Sequence, residues 1–565
     1  MSSNKTTSGM AVNRRAALGL AAASATVAVT QSGAAQAAAA SPGNHAGAAA
    51  ISTPTTAVAT TKYGKVRGYV RNAINTFKGI PYGADTGGAN RWLPAKAPEP
   101  WQGELSCLTY GPVCPHPVRG DWGRSEAQFV YDWDDGFERE DMLRVNVWSS
   151  ALTGKKPVVV WIHGGGMTSG SCQELPSYDG ENMAKKGVVF VSLNHRLNAL
   201  GFMDVSQIGG AAYKESGNVG LTDLVFALQW VRDNIAAFGG DPARVTIMGQ
   251  SGGGSKVTCL MAMPSAKGLF HRAVVESGGG GNYPDSAQQQ RYAAAIMTEL
   301  GLAANDIAGL QKVPHQRLLA AGQAASAKVN PPMAAPGAGG PVLGGAAAPR
   351  AGFGPTFDGS VFTERAWGTS APAISSDVPL MIGSVREETF TVLPPLTEAQ
   401  VANDFNTMFP GKGAQVHATM KAAFPNTPPT VLKQTVSGLR TRGNMLRLAD
   451  LKANAGGAPV YQFWFVWQPV TVLERRSGAF HCLDIAFFFD NTARCEQATG
   501  NTPAAKALAA KMSTAIVNFA ATGNPSQPGL AWTPYTAATK ATMLWDNTAR
   551  VENGPYEAAR AAITA

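Results

Sequence analysis

The stretch T-I-M-G-Q-S-G-G-G-S, from Thr246 to Ser255, sets one serine among four glycines directly behind an apolar run. Val245–Met248 reads as a buried strand and Lys256–Met263 as a helical pattern, so Gly249-Gln250-Ser251-Gly252-Gly253 is a sharp strand-to-helix turn. Such a turn holds its central residue in a strained conformation, and the flanking glycines let neighbouring backbone approach without clash. The Ser251 hydroxyl is then expected at the sheet edge, near the positive end of the following helix. A glycine-lined packing turn fits the same letters. The strand before and the helix after favour an exposed nucleophile.

Upstream, Trp161-Ile162-His163-Gly164-Gly165-Gly166 leaves a second apolar run as a glycine-rich loop. Consecutive glycines can aim backbone N–H groups at one point and so form an oxyanion hole, although any loop needing positive φ would look alike. That run is Pro157–Ile162, and further apolar runs stand at Val188–Leu193, Ala273–Val275, Pro379–Ile382 and Val460–Trp467. Valine and isoleucine dominate most of them, as strands covered on both faces require. Helical patterns alternate with these runs, which predicts an α/β fold around one large sheet. Leu221, Leu224, Val225, Leu228, Val231, Ile235 and Phe238 recur at spacings of three and four, the core face of an amphipathic helix. Gly239-Gly240-Asp241-Pro242 should end it.

Composition narrows the remaining classes. Of 565 residues, 45% are hydrophobic and 15% charged, which suits a globular protein with a large core. No internal run reaches the roughly eighteen apolar residues of a membrane helix. The net charge of +9 comes from scattered lysines and arginines, which gives nucleic-acid binding little support. Cys107, Cys114, Cys172, Cys259, Cys482 and Cys495 form no C-x-x-C pair and no zinc spacing, so a metal site is not expected.

At the N-terminus, Arg14-Arg15 precede an alanine-rich run and Ala35-Gln36-Ala37, the order of an export signal. The paired arginines point towards the twin-arginine route, although Ala17 stands where a bulky residue is expected. The expected division is a signal peptide over 1–37, a linker over 38–61 and one catalytic domain over 62–565, with a periplasmic or secreted location. The Gly/Ala/Pro-rich segment 331–355 reads as a mobile loop, either a lid or a tolerated surface insertion.

Several longer motifs carry a specific resemblance. Phe77-Lys78-Gly79-Ile80-Pro81-Tyr82, Asn146-Val147-Trp148, Gly217-Asn218-Val219-Gly220-Leu221-Thr222-Asp223 and Lys267-Gly268-Leu269-Phe270-His271-Arg272-Ala273 stand in one order around the serine turn. Together they resemble the type-B carboxylesterases, the α/β-hydrolases that include cholinesterases and bacterial esterases, from about Tyr63 to Tyr535. The resemblance implies a large, mostly parallel sheet flanked by helices, with loop and helical insertions. It also implies a triad of Ser251, Glu388 and His481, with Glu387 as a near-miss for the acid. Gly165, Gly166 and Gly252 would donate to the oxyanion. The implied reaction is hydrolysis of a small-molecule carboxylic ester through an acyl-enzyme, without cofactor or metal.

Four positions depart from the family pattern. Gln250 replaces a glutamate before the serine, which removes a negative charge and favours neutral esters over choline-like ones. Met142 replaces a cysteine whose partner matches Cys114, so that family disulfide cannot form. Met167 and Cys482 replace an aromatic residue and a glycine, and are candidates for the pocket wall. Family members that lost the triad act as adhesion or binding proteins. A lipase, amidase or thioesterase would share this scaffold.

Overall fold

The valine-rich runs become the parallel middle of a larger mixed sheet. The computed structural model describes residues 49–117, 125–330, 350–363, 365, 367–389, 395–469 and 478–564. The signal-peptide segment and residues 38–48 lie outside them, as does 331–349 of the Gly/Ala/Pro-rich segment. The described end of that segment is pinned: Gln289 Nε2 donates to Gly352 O at 2.7 Å, and Phe353 packs on Tyr292 with ring centroids 5.4 Å apart.

In chain order the first strands are β1 (Val58–Thr61), β2 (Gly64–Arg67), β3 (Tyr69–Arg71), β4 (Ile74–Pro81), β5 (Glu104–Ser106), β6 (Arg144–Ser149) and β7 (Lys156–Ile162). There follow β8 (Val189–Leu193), β9 (Gly240–Gln250), β10 (Arg272–Glu276), β11 (Leu380–Val385), β12 (Val460–Phe465), β13 (Ala541–Trp545) and β14 (Arg550–Asn553). Strands β1, β2 and β5 form a small separate sheet. The stretch read as linker therefore ends in a strand, one too short for alternation to reveal.

The other eleven strands lie in the order β14-β13-β12-β11-β10-β9-β7-β8-β6-β4-β3. Every pairing from β13 to β8 is parallel, and antiparallel strands close both flanks. This is the α/β-hydrolase architecture that the resemblance implied.

Alternation along β7 explains why the centre reads as a continuous apolar run. Val158, Val160 and Ile162 enter one core, with Leu221, Leu224 and Leu228 of the helix Val219–Asn234. Val159 and Trp161 enter the opposite core, with Leu508, Met512 and Ile516 of the helix Pro503–Thr522. A strand buried on both faces cannot afford polar alternates. The helix Val219–Asn234 continues as a 3₁₀ turn, Ile235–Phe238, and stops at Gly239, whose φ of 77° suits glycine. It is also tied across the core by a buried ion pair. Arg196 Nε and Nη2 grip the Asp223 carboxylate at 2.8 and 2.6 Å, with both side chains almost fully buried.

Because the central strands are parallel, their C-terminal ends share one edge of the sheet. The loops after β7, β9, β10 and β11 therefore converge, at the place where such sheets bind ligands.

Candidate active site

Ser251 sits between β9 and the helix Gly252–Leu260 with φ 56° and ψ −121°. That conformation is strained for a serine and must be held from outside. Part of the restraint comes from β10: Ser251 N donates to Glu276 O at 2.8 Å. The rest is steric. A Cβ on Gly249 would collide with the Gly253 backbone, and one on Gly253 would collide with the carbonyl oxygen of Ile162. Glycines at 249 and 253 therefore serve close packing of turn against turn. Neither needs positive φ.

The loop after β7 does need it. Gly165 and Gly166 have φ of 78° and 63°. The turn is closed by Ser169 N, which donates to Gly165 O at 3.0 Å. Gly164, Gly165 and Gly166 line the same cavity as Ser251, a space of about 400 Å³. Gly252 lies directly behind, with its backbone packed on that of Gly166.

His481 also lines this cavity. Its Nδ1 is 2.5 Å from Glu388 Oε2, and Glu388 Oε1 accepts from Val385 N at 3.1 Å. The acid is thus anchored to the end of β11 while it faces the imidazole. Tyr131 donates its hydroxyl to His481 O at 2.5 Å and stands edge-on to Phe480. The Glu387 carboxylate is fully buried and turned elsewhere. It pairs with Arg386 and accepts from Thr435 Oγ1 and from Ala479 N, so it ties the acid loop to the histidine loop.

Gln250 Nε2 lies 3.2 and 3.3 Å from the two ring nitrogens of His481, and the Cys482 thiol donates to Gln250 Oε1 at 3.2 Å. Both residues line the cavity. Met167 does not: its side chain packs against the larger core, and its carbonyl accepts from Asn198 N at 2.7 Å. The two positive-φ glycines before it turn the chain back into the protein. His163 and His195 are buried and stacked, with ring centroids 5.1 Å apart. Burial, reinforced by the nearby Lys256 charge, holds the His195 imidazole well below its ordinary pKa. All six cysteines are free thiols.

Some residues at the site carried no sequence signal. Trp133, Glu174 and Tyr178 line the cavity from loops and short turns, and Tyr178 donates to Glu174 Oε1 at 3.1 Å. Glu276 and Asp484 are fully buried around the same loops, and burial pushes both carboxyls upward in pKa. Asp484 follows the His481 loop by three residues in the family motif, whereas no motif marked Trp133, Glu174, Tyr178 or Glu276.

The chain is similar to known esterases over most of its length. The model of the carboxylesterase family matches residues 55–562. The para-nitrobenzyl esterase of Bacillus subtilis is 32% identical over 504 residues, covering 88% of this chain and 96% of that protein. The phenmedipham hydrolase of Pseudarthrobacter oxydans is also 32% identical, covering 77% and 83%. Among solved structures, an esterase from Clostridium hathewayi that can hydrolyse aliphatic aromatic polyesters superposes with a TM-score of 0.79 at 33% identity, over 91% of this chain and 99% of that one. A Geobacillus stearothermophilus carboxylesterase gives 0.70 at 32% identity, over 90% and 100%.

Proposed function

This chain belongs to the carboxylesterase family and is a carboxylic ester hydrolase, and from that premise we propose that it cleaves neutral carboxylic esters through an acyl-enzyme on Ser251. The observation that carries this reading is the 2.5 Å contact between His481 Nδ1 and Glu388 Oε2, with His481 and Ser251 in one cavity. In this mechanism His481 takes the Ser251 proton as Oγ attacks the ester carbonyl carbon. Glu388 orients the imidazole and stabilises its charged form. The N–H groups of Gly165, Gly166 and Gly252 receive the oxyanion; losing one such donor typically costs about a hundred- to a thousand-fold in rate. Collapse of the tetrahedral species breaks the bond to the alcohol, which leaves with the proton from His481. Water repeats the sequence on the acyl-enzyme and releases the carboxylic acid.

The uncharged Gln250 beside His481 supports a neutral alcohol group. Among the described residues the cavity contains one carboxylate, that of Glu174, which the Tyr178 hydroxyl engages. The test is a panel of nitrophenyl esters of increasing acyl length, with a choline ester of matched acyl length beside it. Turnover should be abolished in Ser251→Ala, and a fluorophosphonate should label the unmutated protein at Ser251 and nowhere else. Equal hydrolysis by the Ala variant would overturn the mechanism, and preference for the choline ester would overturn the neutral-substrate assignment. Absence of labelling would favour a binding protein instead. We also propose export on the strength of the Arg14-Arg15 leader. N-terminal sequencing of the exported protein should then begin at Ala38.

A further inference from the structure

Lys256 has no part in the mechanism just described, yet its position is costly. It lies in the helix that starts behind Ser251, with its side chain fully buried. Among the described residues the partners of its ammonium include no carboxylate. A buried charge without a counter-ion is expensive unless hydrogen bonds satisfy it. Here the partners are backbone carbonyls: His163 O at 3.0 Å and Gly164 O at 3.5 Å. The His163 ring supports the second, with Nδ1 3.1 Å from Gly164 O.

Those two carbonyls belong to the loop after β7, and their direction fixes that of the neighbouring N–H groups. A trans peptide is planar, so the carbonyl of Gly164 and the N–H of Gly165 point in opposite directions. With Gly164 O held inward against Lys256 and His163, the Gly165 N–H must face the other side. Gly165 lines the cavity on that side. Glycines flank this peptide plane, and glycine gives little steric resistance to its rotation. Side-chain donors have to hold it.

We propose that Lys256 is a positioning residue for ester hydrolysis, whose ammonium clamps the His163 and Gly164 carbonyls and so aims the Gly165 N–H at the oxyanion. The proposal rests on the Ser251 reading above and extends it. One short helix then carries both the nucleophile at its start and the clamp five residues later, which keeps attacking oxygen and oxyanion donor in register. The positive charge also sits behind the hole, where it favours the oxyanion over the neutral ground-state carbonyl. Burial holds the Lys256 pKa down to about 7, opposed by Glu174, Cys114 and Cys259, and the buried His195 lies within reach of its field.

The test compares Lys256→Met, which keeps length and volume, with Lys256→Gln, which keeps a neutral donor. Each is read by steady-state kinetics on a nitrophenyl ester and by the affinity of a trifluoromethyl ketone, whose keto carbonyl takes up the serine oxygen to form a hemiketal that reproduces the oxyanion. An interaction made only in the transition state should lower kcat and leave KM nearly unchanged. Lys256→Met is expected to lose about ten- to a hundred-fold in kcat, with KM within about threefold and a parallel loss of trifluoromethyl ketone affinity. Lys256→Gln should fall between it and the unmutated enzyme. If Lys256→Met does not fold, the same split read on Lys256→Gln decides the matter. Unchanged kcat and ketone affinity, or a loss confined to KM, overturns the positioning role. Stoichiometric fluorophosphonate labelling of Ser251 in the same preparation separates that outcome from failure of the Ser251 mechanism itself.

Discussion

Glu387 and Glu388 sit side by side after β11 and face different partners. Glu388 faces the imidazole of His481, whereas Glu387 is buried against Arg386, Thr435 and Ala479 N. Their amides should therefore fail differently. On the proposed mechanism Glu388→Gln removes the charge that orients and stabilises the imidazolium, and kcat should fall by up to about ten-thousand-fold with little change in melting temperature. Glu387→Gln takes the carboxylate from a half-buried Arg386 and weakens the buried contacts to Thr435 and Ala479, so it should destabilise the fold by about 1–3 kcal/mol, read from chemical denaturation. A reversed pattern would exchange the roles. The family resemblance selects Glu388, but the local sequence alone could not, because adjacent carboxylates share every local property. The structure makes it through direction: Glu388 adopts φ 52°, and its two oxygens span Val385 N and His481. Ser251 was legible at this scale because its signal is local, a strained residue between a strand and a helix.

At the scale of elements, the site is the meeting of the helix Gly252–Leu260 with the ends of β7 and β10. Gly253 sets the separation of the first two, since any Cβ there meets the carbonyl of Ile162 and the backbone of His163. Gly253→Ala should push the helix start away from the Gly164–Gly166 loop. A displacement near 1 Å can cost about a hundred-fold in rate, so kcat/KM is expected to fall by at least that much. The overpacking itself should cost about 1–3 kcal/mol of stability. Near-normal turnover in a folded Gly253→Ala protein would show that the two elements tolerate more separation than this. Sequence reading found the six central strands because each is a short run buried on both faces. It missed β3, β4, β6, β13 and β14 on the flanks: β3–β4 and β13–β14 are short hairpins, and β6 pairs antiparallel with strands far from it in the chain.

Across the whole molecule, buried charge couples stability to pH. Glu276, at the end of β10, and Asp484, in the helix Leu483–Phe488, have all four carboxylate oxygens buried and, among the described residues, without hydrogen-bond partners. Burial raises both pKa values above the ordinary carboxylate range. For a raised carboxyl the folded state binds the extra proton, so its stabilising contribution is fully present below about pH 4 and is lost as pH rises through the folded pKa. Lys256, lowered to about 7, works in the opposite sense. The effect is therefore isolated by comparing slopes: Glu276→Gln should lose less melting temperature than the unmutated protein as pH rises from about 4 to 8. Parallel curves would show that Glu276 does not titrate in this way.

What the sequence determined by itself was short-range. The apolar runs become central strands because both faces must be dry, and the glycines mark where backbone crosses backbone at the serine turn. The family motifs around that turn extended this to the fold and to the candidate triad. Only the tertiary structure decided how Glu388 meets His481 while Glu387 turns away, that Met167 turns into the core, and that Lys256 lies beneath the glycine loop. Those facts concern groups brought together across 93 residues for Glu388 and His481, or 93 again for Lys256 and His163. Contacts at such separations are made by the sheet order and the crossing of elements, and nothing in either local stretch encodes the direction in which its side chain will meet the other.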